Sequence, residues 1–418
     1  MIAHPISRRQ AIIIGGLGVA GLASGAAGWL ATCQSSSAGG RLQPAGAGVH
    51  LNQPPVLASH NGRVRVELTA GGGVHLAGRD THALGFNGSS LGPTLRVRPG
   101  DELAVRLTNR LAQPTNLHLH GLRVSPQASG DNPFLRIDPG ASFDYLHRIP
   151  TDHPPGTYWY HPHHHGTVAA TPAAAQRWRI INGCTSRVLP IRLEGHQLIQ
   201  IAHDGTFLPA PVPRNRIVLA PGNRADVIIR PAGERRYPLT AEAFERGGMG
   251  GMMGGGTATS APVTLATLTC AGTPITPPSL PAALPAEAPP TGPVAVQRRI
   301  AFQMGMGMGG MSFTIDGRRF DPQRDDQTVT FGDIEEWTVT NTSPLAHPFH
   351  LHVWPFTVLA MSDASPPTGA PQDVVLIPAR GWARLNIPFT THVGRSVYHC
   401  HILDHEDAGM MATVNVRG

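Results

Sequence analysis

The sequence predicts an all-β protein built of sandwiches. Three observations lead there: short β-branched runs recur between turn residues, almost no stretch of helical periodicity is long enough to sustain a helix, and a proline-rich segment divides the strand-bearing chain in two. At 418 residues the chain is too long for one ordinary domain and suits two or three, each able to bury its own core.

Taken in order, residues 1–33 read as a targeting segment. Arg8 and Arg9 stand in Ser7-Arg8-Arg9-Gln10, and an uncharged, apolar, glycine-rich stretch follows from Ala11 to Thr32. This fits a twin-arginine export signal, a route used by proteins that cross the membrane folded. Leu30-Ala31-Thr32-Cys33 resembles a lipobox whose cysteine is acylated, with threonine in place of the usual small residue. Left uncleaved, the apolar stretch is long enough to anchor the chain in a bilayer. Every variant puts the body outside the cytoplasm, in a periplasm or at the cell surface, and leaves membrane attachment through the anchor or a lipidated Cys33 open.

Residues 34–55 form a Ser/Gly/Pro linker, and strand phrases follow at 62–68, 95–101, 177–182, 191–193, 217–221 and 227–230. Eight prolines between 274 and 293 make that segment an extended connector, after which the strand pattern resumes at 336–341 and 382–387 and runs to the C-terminus. The formal charge is +6 and arginine carries all 33 positive side chains. Those arginines are scattered rather than gathered into runs, which argues against a nucleic-acid partner. Four cysteines, Cys33, Cys184, Cys270 and Cys400, exclude a disulfide scaffold; Cys184 and Cys270 either pair or remain separate thiols.

Four motifs carry the chemistry: His118-Leu119-His120-Gly121, His161-Pro162-His163, His347-Pro348-Phe349-His350-Leu351-His352, and His399-Cys400-His401 followed by His405 and Met410. On a strand, residues i and i+2 share a face, so each His-x-His pair offers two imidazoles to one volume, and four pairs offer eight nitrogens. Cys400 lies between His399 and His401 and therefore faces the other way, so one strand serves two sites. His347 is out of step with the His350/His352 pair and can join the Cys400 side, where His405 supplies a second imidazole. Two histidines, a thiolate and a weak thioether from Met410 are the ligand set of an electron-transfer copper. A single His-x-His is usually just surface, and zinc needs only three or four protein ligands, so ten histidines with one cysteine and one methionine overshoot it. His196 and His203 fall in ordinary strand context and read as structural.

These residues resemble a known family, the multicopper oxidases, which include laccases and bacterial cuprous oxidases. The likeness rests on Gly156-Thr157-Tyr158-Trp159-Tyr160-His161-Pro162-His163-His164-His165-Gly166 and on His399-Cys400-His401-Ile402-Leu403-Asp404-His405-Glu406-Asp407-Ala408-Gly409-Met410-Met411, and it runs from about Leu57 to the C-terminus. It implies tandem cupredoxin-like Greek-key sandwiches of the three-domain type and four copper ions. His347, Cys400, His405 and Met410 would hold type 1; His118 and His350, type 2; His120, His161, His163, His352, His399 and His401, the type 3 pair. His164 and His165 are not ligands in that pattern. Dioxygen would be reduced to water by electrons from Cu(I) or small aromatic donors. Asp131 and Glu406 would deliver protons, although Asp131 could instead cap a turn and Glu406 could orient His405 or a neighbour.

The methionine groups Met249/Met252/Met253 and Met304/Met306/Met308/Met311 lie among glycines and read either as a cuprous-ion capture surface or as low-complexity sequence. One departure from the family stands out. Only about nine residues separate Gly166 from Gln176, where the family finishes its first sandwich and begins its second. The expected domains are accordingly 56–168 (lacking its last strands), 169–273 (lacking its first strands) and 294–418, with the two remnants either merged into one composite sandwich or packed as incomplete ones. Three functions remain in view: an exported oxidase, a copper-binding protein with little or no oxidase activity because of the deletion, and a copper-free relative of the kind that acts in cell division, which the intact ligand set disfavours. A copper nitrite reductase is a weaker likeness, since it lacks the eight-histidine set.

Overall fold

Alternation of side chains across strands, rather than any helical packing, builds this molecule. The computed structural model describes residues 54–76, 79–80, 84–89, 92–162, 177–230, 236–247, 262–269, 279–307, 310–363 and 368–418. The leader with Cys33, the linker to residue 53, His163 to His165, Cys270, Met249, Met252, Met253 and Met308 lie outside the described residues. Among those described, no helix is long and apolar enough to cross a membrane.

In the first block, strand Arg63–Gly71 buries Val64, Val66, Leu68 and Ala70 and exposes Arg63, Arg65 and Glu67, the period-two pattern of a sheet with one core face. It runs parallel to Glu102–Asn109, which is antiparallel to Ser142–Arg148, and Gly85–Phe86 completes the four-stranded sheet. Two ribbons of three-residue strands accompany it: Val56–Ala58 with Thr94–Arg96, and His118–His120 with Trp159–His161. Leu119 joins the core formed by Leu68, Val105, Leu107, Leu117 and Tyr145, which turns the histidines on either side of it away from that core. The strand expected at 95–101 pairs only over Thr94–Arg96. Pro99 has no N–H to give a ladder, and the Asp101 N–H instead closes a turn on the Arg98 carbonyl (3.1 Å) with Gly100 at φ 88°.

The second block has two four-stranded sheets: Arg177–Ile181, Arg224–Ile228, Leu198–His203 and Thr206–Arg214 in one; Ile217–Leu219, Leu189–Leu193, Arg236–Ala241 and Val263–Thr269 in the other. Trp178, Leu193, Leu198, Leu219 and Val227 fill the space between them. Cys184 is half-buried and forms no disulfide among the described residues. The third block has two five-stranded sheets around a core that includes Trp337, Phe349, Trp354, Phe356 and Phe389. One contains Gly310–Ile315, Val296–Gly307, Ile334–Asn341, Trp382–Pro388 and Thr357–Met361. The other contains Gln327–Thr330, Met411–Arg417, Gly394–Cys400, His347–Leu351 and Val374–Ile377.

The described part of the proline-rich connector, residues 279–293, carries no strand. It is pinned instead: Glu287 takes both ends of the Arg123 guanidinium, and the Leu284 N–H donates to the Pro209 carbonyl (2.9 Å). A feature that the periodicity did not announce is the short helix Leu403–Asp407, which carries His405 and Glu406.

Away from the candidate site, His147 is buried beside Tyr145, and neither of its ring nitrogens has a hydrogen-bond partner among the described residues. Burial pushes its pKa down to about 4. The unfolded chain takes up this proton near pH 6.5, so between about 6.5 and 4 the unfolded state binds more protons and stability falls as pH falls. His147→Phe is expected to remove this slope, making the metal-free protein up to about 3 kcal/mol more resistant to urea at pH 4 relative to wild type than it is at pH 7. Equal pH dependence of the two unfolding midpoints would contradict the assignment.

Candidate metal centre

Antiparallel pairing of His347–Leu351 with Gly394–Cys400 sets Phe349 opposite Cys400 and His350 opposite His399. Alternation along the second of these strands then delivers Cys400 to one side and His399 to the other. On the Cys400 side, the thiol Sγ lies 3.4 Å from His347 Nδ1 and 3.6 Å from His405 Nδ1, and the two nitrogens are 3.0 Å apart. The helix Leu403–Asp407 brings His405 back over the thiol, and Phe313 stacks on its ring at 4.4 Å. Ser343 Oγ donates to the Leu345 carbonyl (2.9 Å) and accepts from His347 Nε2 (2.7 Å), which leaves Nδ1 of His347 as the lone-pair nitrogen facing sulfur. Met410 is fully buried, and its backbone bonds to both Cys400 and His405.

On the other side, seven histidines from two blocks converge. His118, His350 and His352 bring ring nitrogens within 4.8 Å of one another, and so do His120, His161 and His401; His399 Nε2 sits 3.2 Å from His352 Nε2. Two sharp turns shape this volume. The Trp354 N–H bonds to the His352 carbonyl (2.8 Å) across Val353 at φ 68°, a γ-turn that a β-branched residue adopts only under strain of about 1–3 kcal/mol. Gly222, at φ 91°, brings bare backbone against His120 and His401, where any side chain would intrude.

The hydrogen bonds around the rings determine what the cluster can hold. His118 Nδ1 donates to Asp131 (2.9 Å), His350 Nδ1 to the Asp373 carbonyl (2.7 Å) and His161 Nδ1 to the Pro162 carbonyl (2.9 Å); His399 Nδ1 lies 3.1 Å from both Glu406 and the Cys400 carbonyl. All these partners are acceptors, so the proton is on Nδ1 and the Nε2 lone pair is left to point inward. His118 Nε2 thus faces His350 Nε2 at 3.5 Å with no proton between them. Lone pairs so disposed repel each other unless a cation takes both.

Burial keeps the rings in the neutral, ligating form. It lowers His120 well below the usual range, with help from neighbouring imidazoles and Arg224, and takes His347 to about 3 and His405 to about 2. Burial pushes the Cys400 thiol up, so a bound cation is needed to draw off its proton. Asp131 is likewise raised by burial, to about 8, while accepting from the Leu119 N–H (3.0 Å). The donor set, one thiolate-and-imidazole position beside a cavity lined by imidazoles, fits copper.

Of the residues singled out in the sequence, the structure brings together His118, His120, His161, His350, His352, His399 and His401, and separately His347, Cys400 and His405, with Asp131 and Glu406 at the rim of the first group. His163 lies outside the described residues. Glu406 meets His399, not His405. The second block contributes no side chain to the metal-ligand groups formed by the described residues, but it sends Arg224 to their edge; Arg224, Asp373 and Ser343 went unrecognised in the sequence because no spacing relates them to a histidine motif.

Known proteins bear directly on this geometry. Models of the multicopper oxidase family match residues 70–179, 155–267 and 290–418. A multicopper oxidase of Staphylococcus haemolyticus is 24% identical over 80% of this chain and 84% of its own. The cell division protein FtsP of Sodalis glossinidius is 26% identical over 80% of this chain and 85% of its own. The solved multicopper oxidase of Campylobacter jejuni, described as a metallo-oxidase, superposes with a TM-score of 0.75 at 23% identity over 88% of this chain and 95% of that one.

Gly222→Ala tests whether the close packing around these rings matters. The new Cβ would stand 3.0 Å from His120 Nε2 and from Val374 Cγ2, and 3.1 Å from His401 Cδ2, on a backbone that disfavours it. The expected result is a loss of about 1–3 kcal/mol in metal-free unfolding and weaker metal uptake by the imidazole cluster, with the thiolate site still loading. Unchanged uptake by the cluster would show that its shape is not held from the second block.

Proposed function

Because this chain belongs to the multicopper oxidase family of oxidoreductases, we propose that it is an exported oxidase that takes single electrons from Cu(I) or phenolic donors and reduces dioxygen to water. His347, Cys400, His405 and Met410 would hold one copper. His118 and His350 would hold a second, and His120, His161 and His401 with His163, His352 and His399 a pair. When bound, copper supplies one-electron oxidation at the thiolate site and four-electron reduction of dioxygen at the cluster.

The observation that carries this reading is the end of strand Gly394–Cys400, where Cys400 lies 3.4 Å from His347 while the preceding residue, His399, faces His352 at 3.2 Å. One peptide link joins the electron-accepting site to the oxygen-reducing one. Asp131 accepts from His118 Nδ1, and Glu406 stands at His399; both are placed to pass protons to the cavity as oxygen is reduced. Donor access is framed by the hairpin Val296–Gly307 and Gly310–Ile315. In it Met304 pairs with Phe313, the ring that covers His405, and Met306 pairs in backbone register with Met311. Thioethers there favour Cu(I).

The domain reading goes with this. Three sandwiches, the first two joined by a shortened junction, are supported by the overlap of the first two family matches over residues 155–179 and by the three-residue ribbons of the first block. Those ribbons also favour the second reading, a copper-binding protein with little turnover.

Dioxygen uptake by the copper-loaded full chain separates the two. Four donor equivalents are expected to be consumed per dioxygen, without hydrogen peroxide, and Asp131→Asn is expected to lower turnover about a hundredfold while leaving anaerobic reduction of the thiolate site by donor unchanged. Full copper loading with no dioxygen uptake would establish the binding-protein reading instead.

A further inference from the structure

The second block supplies none of the ligands grouped among the described residues, yet one of its side chains ends at the edge of the cluster. Arg224, at the start of Arg224–Ile228, is fully buried. Its Nη1 and Nη2 donate to the two carboxylate oxygens of Asp373 in the third block (2.6 and 2.8 Å). Nη1 also lies 3.2 Å from His120 Nδ1 in the first block, a nitrogen that Asp373 Oδ1 approaches at 3.5 Å. Nε donates to the Thr157 carbonyl (3.2 Å), Nη2 also to the Asp204 carbonyl (2.9 Å), and the Gly222 carbonyl lies 3.3 Å from Nη1. The guanidinium therefore spends its fixed fork on groups from all three blocks, a geometry an ammonium cannot reproduce.

Asp373 is tied to the cluster from its other end, since its carbonyl accepts from His350 Nδ1 (2.7 Å). Asp204 extends the same seam, accepting from the Arg224 N–H (2.8 Å) and the Val374 N–H (3.1 Å). The first block leaves room for the pair. Gly121, next to His120 and at φ 86°, would place a Cβ 2.3 Å from Arg224 Nη2 and 2.5 Å from Asp373 Oδ2, so only glycine lets the chain pass. At the thiolate site His347, Cys400 and His405 all come from the third block, and the second block meets their segments through backbone carbonyls, Arg246 accepting from the Ala346 N–H (2.6 Å) and Thr185 from the Leu403 N–H (2.9 Å).

Building on the copper reading above, we propose that Arg224 is a positioning residue: by joining Asp373 to His120 it sets the first-block and third-block histidines in the spacing that binds the cluster metals, and the thiolate site assembles without it. The second block is then a structural participant in the oxygen-reducing site rather than a spacer.

The thiolate site provides an internal control for folding. Two full-length variants are compared with wild type: Arg224→Lys, which keeps the charge but loses the fork, and the double variant Arg224→Leu/Asp373→Leu, which replaces the pair with packed apolar groups. Copper per chain, the blue thiolate-to-copper band and EPR integration are read on each. Expected is a full blue band in both variants, with cluster affinity lowered about 10–100-fold. Cluster affinity within twofold of wild type in folded variants would overturn the proposal, as would loss of the blue band and cluster copper in equal proportion, which marks a merely structural pair. Should wild type bind copper only at the thiolate, the copper reading fails. Arg224 is then judged on metal-free protein: an imidazole ¹⁵N shift of His120 altered by Arg224→Lys supports its positioning role, and an unaltered one overturns it.

Discussion

The whole arrangement depends on where four protons sit. Acceptors buried around the cavity hold the Nδ1 protons of His118, His161, His350 and His399, so the opposite nitrogens of these rings turn their lone pairs into a buried space. Among them, His118 Nε2 and His350 Nε2 face each other at 3.5 Å, and His399 Nε2 lies 3.2 Å from His352 Nε2. Such a cavity is unfavourable by itself and becomes favourable around cations, so metal binding and the packing of first block on third are linked processes. The depressed basicity of buried His120 serves the same end, since a protonated imidazole could neither ligate nor share this volume with its neighbours.

Simple local geometry then makes two different sites from one strand. Period-two alternation separates Cys400 from His399 and His401, a five-residue helix folds His405 back toward the sulfur, and a strained turn at Val353 follows the strand that carries His350 and leads to His352. Soft sulfur and imidazole lie on one side and imidazole alone on the other. That difference in donors is what suits the first side to exchanging single electrons and the second to holding several metals close together. The connector pinned by Arg123 and Glu287 and the seam through Arg224 keep the blocks in contact without contributing ligands of their own.

Much of this was legible in the sequence, and the reasons are specific. His-x-His pairs and the His-Cys-His triplet encode their geometry in their spacing, because a strand projects neighbours to opposite faces. The Val64/Val66/Leu68 phrase announced its strand for the same reason. Arg224 and Asp373 were silent because they act across contacts between segments far apart in the chain, 149 residues in their own case; Ser343, only four residues from His347, belongs to no metal-ligand motif. The helix Leu403–Asp407 is too short to show a period, and the 95–101 phrase looked like a strand until Pro99 and Gly100 turned it.

The central claim concerns positions of metal, and anomalous scattering at the copper edge from crystals of the copper-loaded full chain reads them directly. Four peaks are predicted: one enclosed by His347, Cys400 and His405, and three among His118, His120, His161, His350, His352, His399 and His401. A single peak at Cys400, or none within the imidazole cavity, would contradict the account.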